Sequence, residues 1–205
     1  MNTKTPQAND VLTYWFGDDR DADPRRVAEI YRGRWFGADT ETDADIRQRF
    51  GALREQALMG ERRSWAHEPL GRLALILLVD QFSRNLYRND RRAFLHDRLA
   101  LDWAEGGILL GMDQSLTPLE RVFFYLPLEH SEHLDDQQEC VALMARLIDL
   151  VPTAQQALFR DFHDYARRHL EIVAQFGRFP HRNGALGRDP TPAENHFLRQ
   201  PGSRF

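Results

Sequence analysis

Three times in this chain an apolar run of helical length ends in a dense cluster of charged and amide side chains. The clusters are Asp80-Gln81-Phe82-Ser83-Arg84-Asn85, Glu129-His130-Ser131-Glu132 and Arg178-Phe179-Pro180-His181-Arg182-Asn183. An ionised group at the end of a buried segment loses hydration that it recovers only by pairing or by neutralising. The three clusters are therefore expected to meet in a shared polar pocket. That requirement restricts the fold, because it asks the three runs to deliver their ends to one place.

The runs themselves read as helix. Asp10 is expected to cap a short helix through Trp15, and Pro24 to open a second that carries Val27, Ile30, Tyr31 and Trp35. Phe16-Gly17 and Phe36-Gly37 both resemble helix ends closed by a left-handed glycine. A third helix, over residues 43–59, aligns Ile46, Phe50, Leu53 and Ala57 on one face. The fourth starts near Pro69 and is apolar on every side from Leu73 to Val79, which predicts a rod at the centre of the fold. The fifth spans about 92–110, with Gly106-Gly107 as its weak point. Thr117-Pro118 with Glu120 is a strong start signal for the sixth, and Pro127 is expected to bend or end it. The seventh covers about 135–150 and the eighth 155–176, stopped by Gly177. Residues 179–192 read as an ordered loop, followed by a short helix over 192–198 capped by Thr191.

No segment alternates as a strand would, so the fold class is all-α, with about eight to nine helices in antiparallel hairpins. Helices four, six and eight are each separated by one antiparallel neighbour and so point the same way. Their polar clusters recur 49 positions apart, from Asp80 to Glu129 and from Glu129 to Arg178. The spacing is architectural, since the tetratricopeptide signature of ~34 residues is absent. Residues 1–205 read as a single helical domain, with 1–60 packing on the central stack and 178–205 forming the C-terminal loop and short helix.

The same residues carry a resemblance. Leu78-Val79-Asp80-Gln81-Phe82-Ser83-Arg84-Asn85, Phe123-Phe124-Tyr125-Leu126-Pro127-Leu128-Glu129-His130-Ser131-Glu132 and Phe176-Gly177-Arg178-Phe179-Pro180-His181-Arg182-Asn183 resemble the bacterial family catalogued as domain of unknown function 924. The likeness extends from Tyr14-Trp15-Phe16-Gly17 through Arg34-Trp35-Phe36 to Gly202-Ser203-Arg204-Phe205. It implies a single helical domain with a tetratricopeptide-like, right-handed arrangement, and brings no activity with it.

Composition removes several function classes. The chain has 205 residues, a net charge of -4 and a pI near 6.1, with arginine interleaved among Asp and Glu. No basic stripe suited to nucleic acid results. Leu73 to Val79 is the longest apolar run, far short of the ~20 residues a membrane helix needs. Residues 1–6 lack an apolar signal core, and Cys140 is the single cysteine, so a soluble protein in the cytoplasm is expected.

Each cluster admits a structural and a chemical reading. Asp80 with Arg84, and Gln81 with Asn85, sit four apart on a helix and pair internally, or Arg84 offers a planar fork to an anion with Asp80 aiming it. Glu129, His130 and Glu132 supply acid and base groups, with His133 in reach of Glu129 on a helical continuation. No second Glu-x-x-His spacing completes a metal site. The third cluster offers Arg178, His181, Arg182 and Asn183 on an ordered loop after His169. Helix C-terminal ends carry partial negative charge, so these arginines also suit plain capping. No nucleophile elbow and no glycine-rich phosphate loop is present, and the sequence names no cofactor.

Two readings follow. In the first, Asp80, Gln81, Arg84, Asn85, Glu132, His169, Arg178, Arg182 and Asn183 bind a small anionic molecule, and Glu129, His130 and His181 move protons. In the second, the stacked helices form a tetratricopeptide-like module for a peptide or protein partner, and the polar clusters only lock the stack.

Overall fold

The computed structural model describes residues 7–203. The signal reading of residues 1–6 and the closing Arg204-Phe205 of the resemblance lie outside the described residues. The helices are α1 (Ala8–Phe16), α2 (Pro24–Phe36), α3 (Thr40–Leu58), α4 (Pro69–Ile76), α5 (Phe82–Leu86), α6 (Asp97–Leu109), α7 (Pro118–Glu129), α8 (Leu134–Asp149), α9 (Gln156–Phe176), α10 (Asn183–Leu186) and α11 (Pro192–Phe197). No strand occurs among the described residues, and the fold is all-α. None of these helices is long and apolar enough to cross a membrane.

The central rod is α4 continued through a π-helical turn, Leu77–Gln81, into α5. Leu73 to Val79 expose no surface at all. At about 1.5–3 kcal/mol for each large apolar side chain, this run is a principal source of stability. The rod packs against α1, α6 and α7 through α4, and against α3 through α5. Aromatic rings fill the space between: Trp15 meets Phe82 and Phe123 with centroids 5.3 and 5.8 Å apart, and Phe50 meets Phe82 at 5.2 Å. Beyond the rod, α6 packs on α7, α7 on α8 and α8 on α9, with short connections that force neighbouring helices to run antiparallel. The C-terminal ends of α5, α7 and α9 therefore share one end of the molecule.

Local chemistry explains the boundaries. Thr117 and Glu120 form a reciprocal cap at α7: Glu120 N donates to Thr117 Oγ1 at 3.4 Å, and Thr117 N donates to Glu120 Oε2 at 2.8 Å. Thr191 and Glu194 repeat the device at α11. At α1 the cap is Gln7, one turn before the predicted Asp10, whose carboxylate instead accepts Gln7 N at 2.6 Å. Gly17 has the positive φ that favours glycine, 93°, but its ψ of 178° is extended, so it is not the left-handed helix end expected. Gly37 is not one either; its φ is -81°, and a Cβ there would lie 2.2 Å from Gly33 O, so close approach selects this glycine.

Three further expectations are corrected. The fourth helix does not end at its polar cluster, because the π turn carries it onward with Asp80 and Gln81 inside it. The predicted fifth helix divides into a 3₁₀ turn at Arg91–Ala93 and then α6. Pro127 lies inside α7, which continues to Glu129.

Candidate functional site

The π turn determines where Asp80 points. Ser83 Oγ donates to the carbonyl of Val79 at 2.5 Å and accepts from Nε of buried Arg54 at 2.8 Å, so α3 braces the widened turn. Such turns recur at functional positions because they re-aim side chains without ending the helix. Here the product is a carboxylate with no exposed surface. Asp80 Oδ2 accepts from Gln81 Nε2 at 2.6 Å, and Oδ1 lies 2.7 Å from His130 Nδ1 and 3.1 Å from Arg84 Nη2. Burial alone would raise its pKa, but Arg84 and His130 outweigh burial and hold Asp80 well below the usual carboxylate range.

An ionised Asp80 makes His130 Nδ1 the donor and leaves the lone pair on Nε2. Burial, then Arg84, lowers the His130 pKa, so the imidazole is a neutral base. Arg84 also reaches Asp97 at the start of α6 with a two-pronged contact of 3.2 and 3.1 Å. Arg182, on the 3₁₀ turn after α9, donates from Nη1 to His130 O at 3.0 Å and to Asp97 Oδ2 at 3.5 Å. Its guanidinium carbon packs 4.8 Å from the Phe94 ring centroid and 4.4 Å from that of Phe179.

Uncharged titratable groups line the inner side. Burial, reinforced by Asp80, pushes the Glu129 carboxyl up to about 8, so it is protonated at neutral pH. His169 Nδ1 donates to Tyr165 O at 2.9 Å and sits 3.5 Å from Glu129 Oε1. Burial holds His169 and His181 neutral, each down to about 3. Burial, then Arg84, brings Arg182 down to about 10. The outer rim is Glu132, which takes Arg188 at 2.7 and 3.0 Å and the Phe179 amide at 2.8 Å.

The predicted residues thus separate into two groups. Asp80, Gln81, Arg84, Glu129, His130, His169 and Arg182 meet through direct contacts or shared partners, with His181 and Glu132 beside them. Arg178 stands apart, its fork filled by Glu194 at 2.6 and 2.8 Å. Asn85 faces α3 and donates to Asp43 at 2.9 Å. Asn183 Oδ1 accepts from Arg188 Nε at 2.9 Å, bracing the loop. Sequence reasoning missed Asp97, Arg188 and Phe94; the first lay within a predicted helix, where nothing marked it as a partner. The carbonyl ends of α7 are held mainly by Gln137, whose Nε2 donates to Glu129 O at 2.6 Å and Ser131 O at 2.7 Å.

The family model described as a bacterial protein of unknown function, DUF924, matches residues 11–202. The chain belongs to this family. A solved structure, that of the protein of unknown function ATU0120 from Agrobacterium tumefaciens, is 33% identical. The match covers 94% of this chain and 96% of that one, with a TM-score of 0.77. No curated protein matches significantly.

In this DUF924 chain the cluster is filled largely by its own side chains, with Arg84, Asp97, His130 and Glu132 partly exposed along its outward edge. A cavity of about 240 Å³ lies elsewhere, beside the Arg20–Glu120 ion pair between the loop before α2 and the start of α7. Among the described residues no group of three or more His, Cys, Asp or Glu is placed to hold a metal ion. The chemistry on offer is a buried cation beside an oriented neutral imidazole, a combination suited to anion binding and proton transfer.

Proposed function

We propose that this cytoplasmic protein binds a small anionic molecule at the convergent ends of α5, α7 and α9, with Arg182 as the anchor and His130 as the acid–base group. One observation carries this reading. Arg182 Nε is buried and has no hydrogen-bonding partner among the described residues, whereas Arg20, Arg88 and Arg178 each give Nε and Nη2 together to a carboxylate. A buried charged donor without a partner costs more than an ordinary hydrogen bond returns, and an anion would remove that cost. Asp80 supports the role of His130 by holding its ring in one orientation with Nε2 as the basic nitrogen.

The test is a titration of the isotopically labelled protein with acetate, phosphate and sulfate to about 10 mM, following the Arg182 Nε–H and the histidine ring signals by NMR. Saturable shifts at Arg182 and His130 support the proposal. Silence at both with all three anions overturns it and returns the clusters to the alternative, a tetratricopeptide-like module with a purely structural lock.

A further inference from the structure

The cavity of about 240 Å³ beside the Arg20–Glu120 pair lies outside the polar cluster and has a chemistry of its own. Phe16, Val27 and Leu119, all buried, form its inner wall, and Pro24 and Pro118 add apolar surface. Asp19 and Asp21 line its exposed side. A dry cavity of ~150 Å³ accepts a benzene ring, so this one has room for a single ring or a short chain and little more.

Its charge is one-sided. Arg20 gives Nε and Nη2 to the two oxygens of Glu120, at 2.6 and 2.7 Å, and Arg25 closes on Asp23 with the same two nitrogens. Asp19 Oδ1 accepts the Asp21 amide at 3.1 Å, and neither Asp19 nor Asp21 is in an ion pair among the described residues. Two negative charges are therefore left over at the mouth of an apolar space. An anion is poorly served here. The starts of α2 and α7 both line the cavity, but Pro24 and Pro118 have no N–H, and Arg25 N and Glu120 N already donate to Asp23 and Thr117. A metal ion is poorly served too, since among the described residues no group of three or more His, Cys, Asp or Glu is placed to hold one. Apolar walls with a few convergent charged groups are the makeup of a small-molecule site, and here the uncompensated groups are carboxylates.

We propose that this cavity is a binding site, separate from the anion site above, for a small primary amine with an apolar body. The hydrocarbon lies on Phe16, Val27 and Leu119, and the ammonium lies between Asp19 and Asp21. Arg20 and Glu120, already paired, form the side wall. The ionic part of the affinity weakens with added salt, and the apolar part does not.

The probes are benzylammonium, its neutral isostere benzyl alcohol, methylammonium and inorganic phosphate, each titrated to about 10 mM into the whole methyl-labelled protein, with the Val27 and Leu119 methyl signals followed by NMR. Benzylammonium is expected to shift both saturably and to bind at least about fivefold tighter than benzyl alcohol or methylammonium. Asp19→Asn combined with Asp21→Asn, on the exposed loop, should erase the margin over benzyl alcohol. Should that variant misfold, the comparison of probes on the wild-type protein still decides. Benzyl alcohol binding as tightly as benzylammonium, saturation that bypasses Val27 and Leu119, phosphate moving those methyls at lower concentration, or no saturation at all overturns the proposal. None of these outcomes touches the anion reading at Arg182.

Discussion

His130 Nδ1 lies 2.7 Å from Oδ1 of Asp80, a carboxylate wholly removed from solvent and shared with Arg84. The contact joins the π turn of the central rod to the end of α7, across 50 positions of sequence. It orients the imidazole and neutralises the guanidinium at once.

Replacing Asp80 with asparagine leaves a buried guanidinium short of one partner and His130 free to rotate. We expect a loss of about 3–5 kcal/mol in urea unfolding at pH 7. The pH dependence should change too. Asp80 has a depressed pKa in the folded protein, so its contribution is present above the ordinary carboxylate pKa and lost as pH falls through the lower, folded value. Asp80→Asn should therefore flatten the acid limb of the stability curve, and an unchanged limb would contradict the ion pair.

Three groups give stability a maximum near pH 6.5. His169 and His181 fall from an ordinary 6.5 to about 3, so below pH 6.5 the unfolded chain takes up two protons that the folded protein does not. Glu129 rises from 4.5 to about 8, so between those values the folded protein holds one proton that the unfolded chain releases. From pH 4.5 to 6.5 the histidines prevail and stability rises with pH; from 6.5 to 8 Glu129 acts without them and stability falls by about 2 kcal/mol. Urea midpoints across this range check the curve. Glu129→Gln should abolish the decline above pH 6.5.

The Gly106-Gly107 pair should behave asymmetrically. A Cβ on Gly107 would lie 2.4 Å from the Phe124 ring and 2.8 Å from Arg72 Cδ, whereas one on Gly106 meets only an Arg72 nitrogen at 3.2 Å. Gly107→Ala is expected to cost about 1–3 kcal/mol by overpacking α6 against α7. Gly106→Ala should be close to neutral, because helix propensity returns up to about 1 kcal/mol. Thermal melts of the two variants side by side settle the comparison.

Arg178 offers a control. Its fork is closed by Glu194, which ties α11 to the end of α9. Arg178→Ala should leave the anion titration at Arg182 unaltered while speeding proteolysis of the segment after Gly187. Loss of anion response in this variant would put the site in a different place from the one argued above.

Much of this was legible in the chain itself. Leu73–Val79 announced the buried rod, Thr117-Pro118 announced α7, and the direction of three helices brought Asp80 and Glu129 to one end. The π turn was not legible, because its origin is tertiary: Arg54, 29 positions upstream, supports the hydroxyl of Ser83. Nor was the separation of Arg178 from Arg182. Four residues apart, the two arginines meet different carboxylates, Glu194 for Arg178 and Asp97 for Arg182, and Glu194 lies in a helix whose position no local pattern reveals. Gly37 was misread for a related reason, since its role depends on the carbonyl of Gly33 a turn earlier and not on its own torsion angle.

The contacts of Arg182 reach back 52 positions to His130 and 85 to Asp97. During synthesis, then, the helices through α8 emerge with Asp80, Arg84 and Asp97 already able to engage, while the residue that closes the network is still inside the ribosome. The network is thus completed late, after the rod and the helices through α8 are in place, and a fragment lacking residues 178–203 would keep the rod yet lack the arginine to which anion binding is ascribed in our proposal.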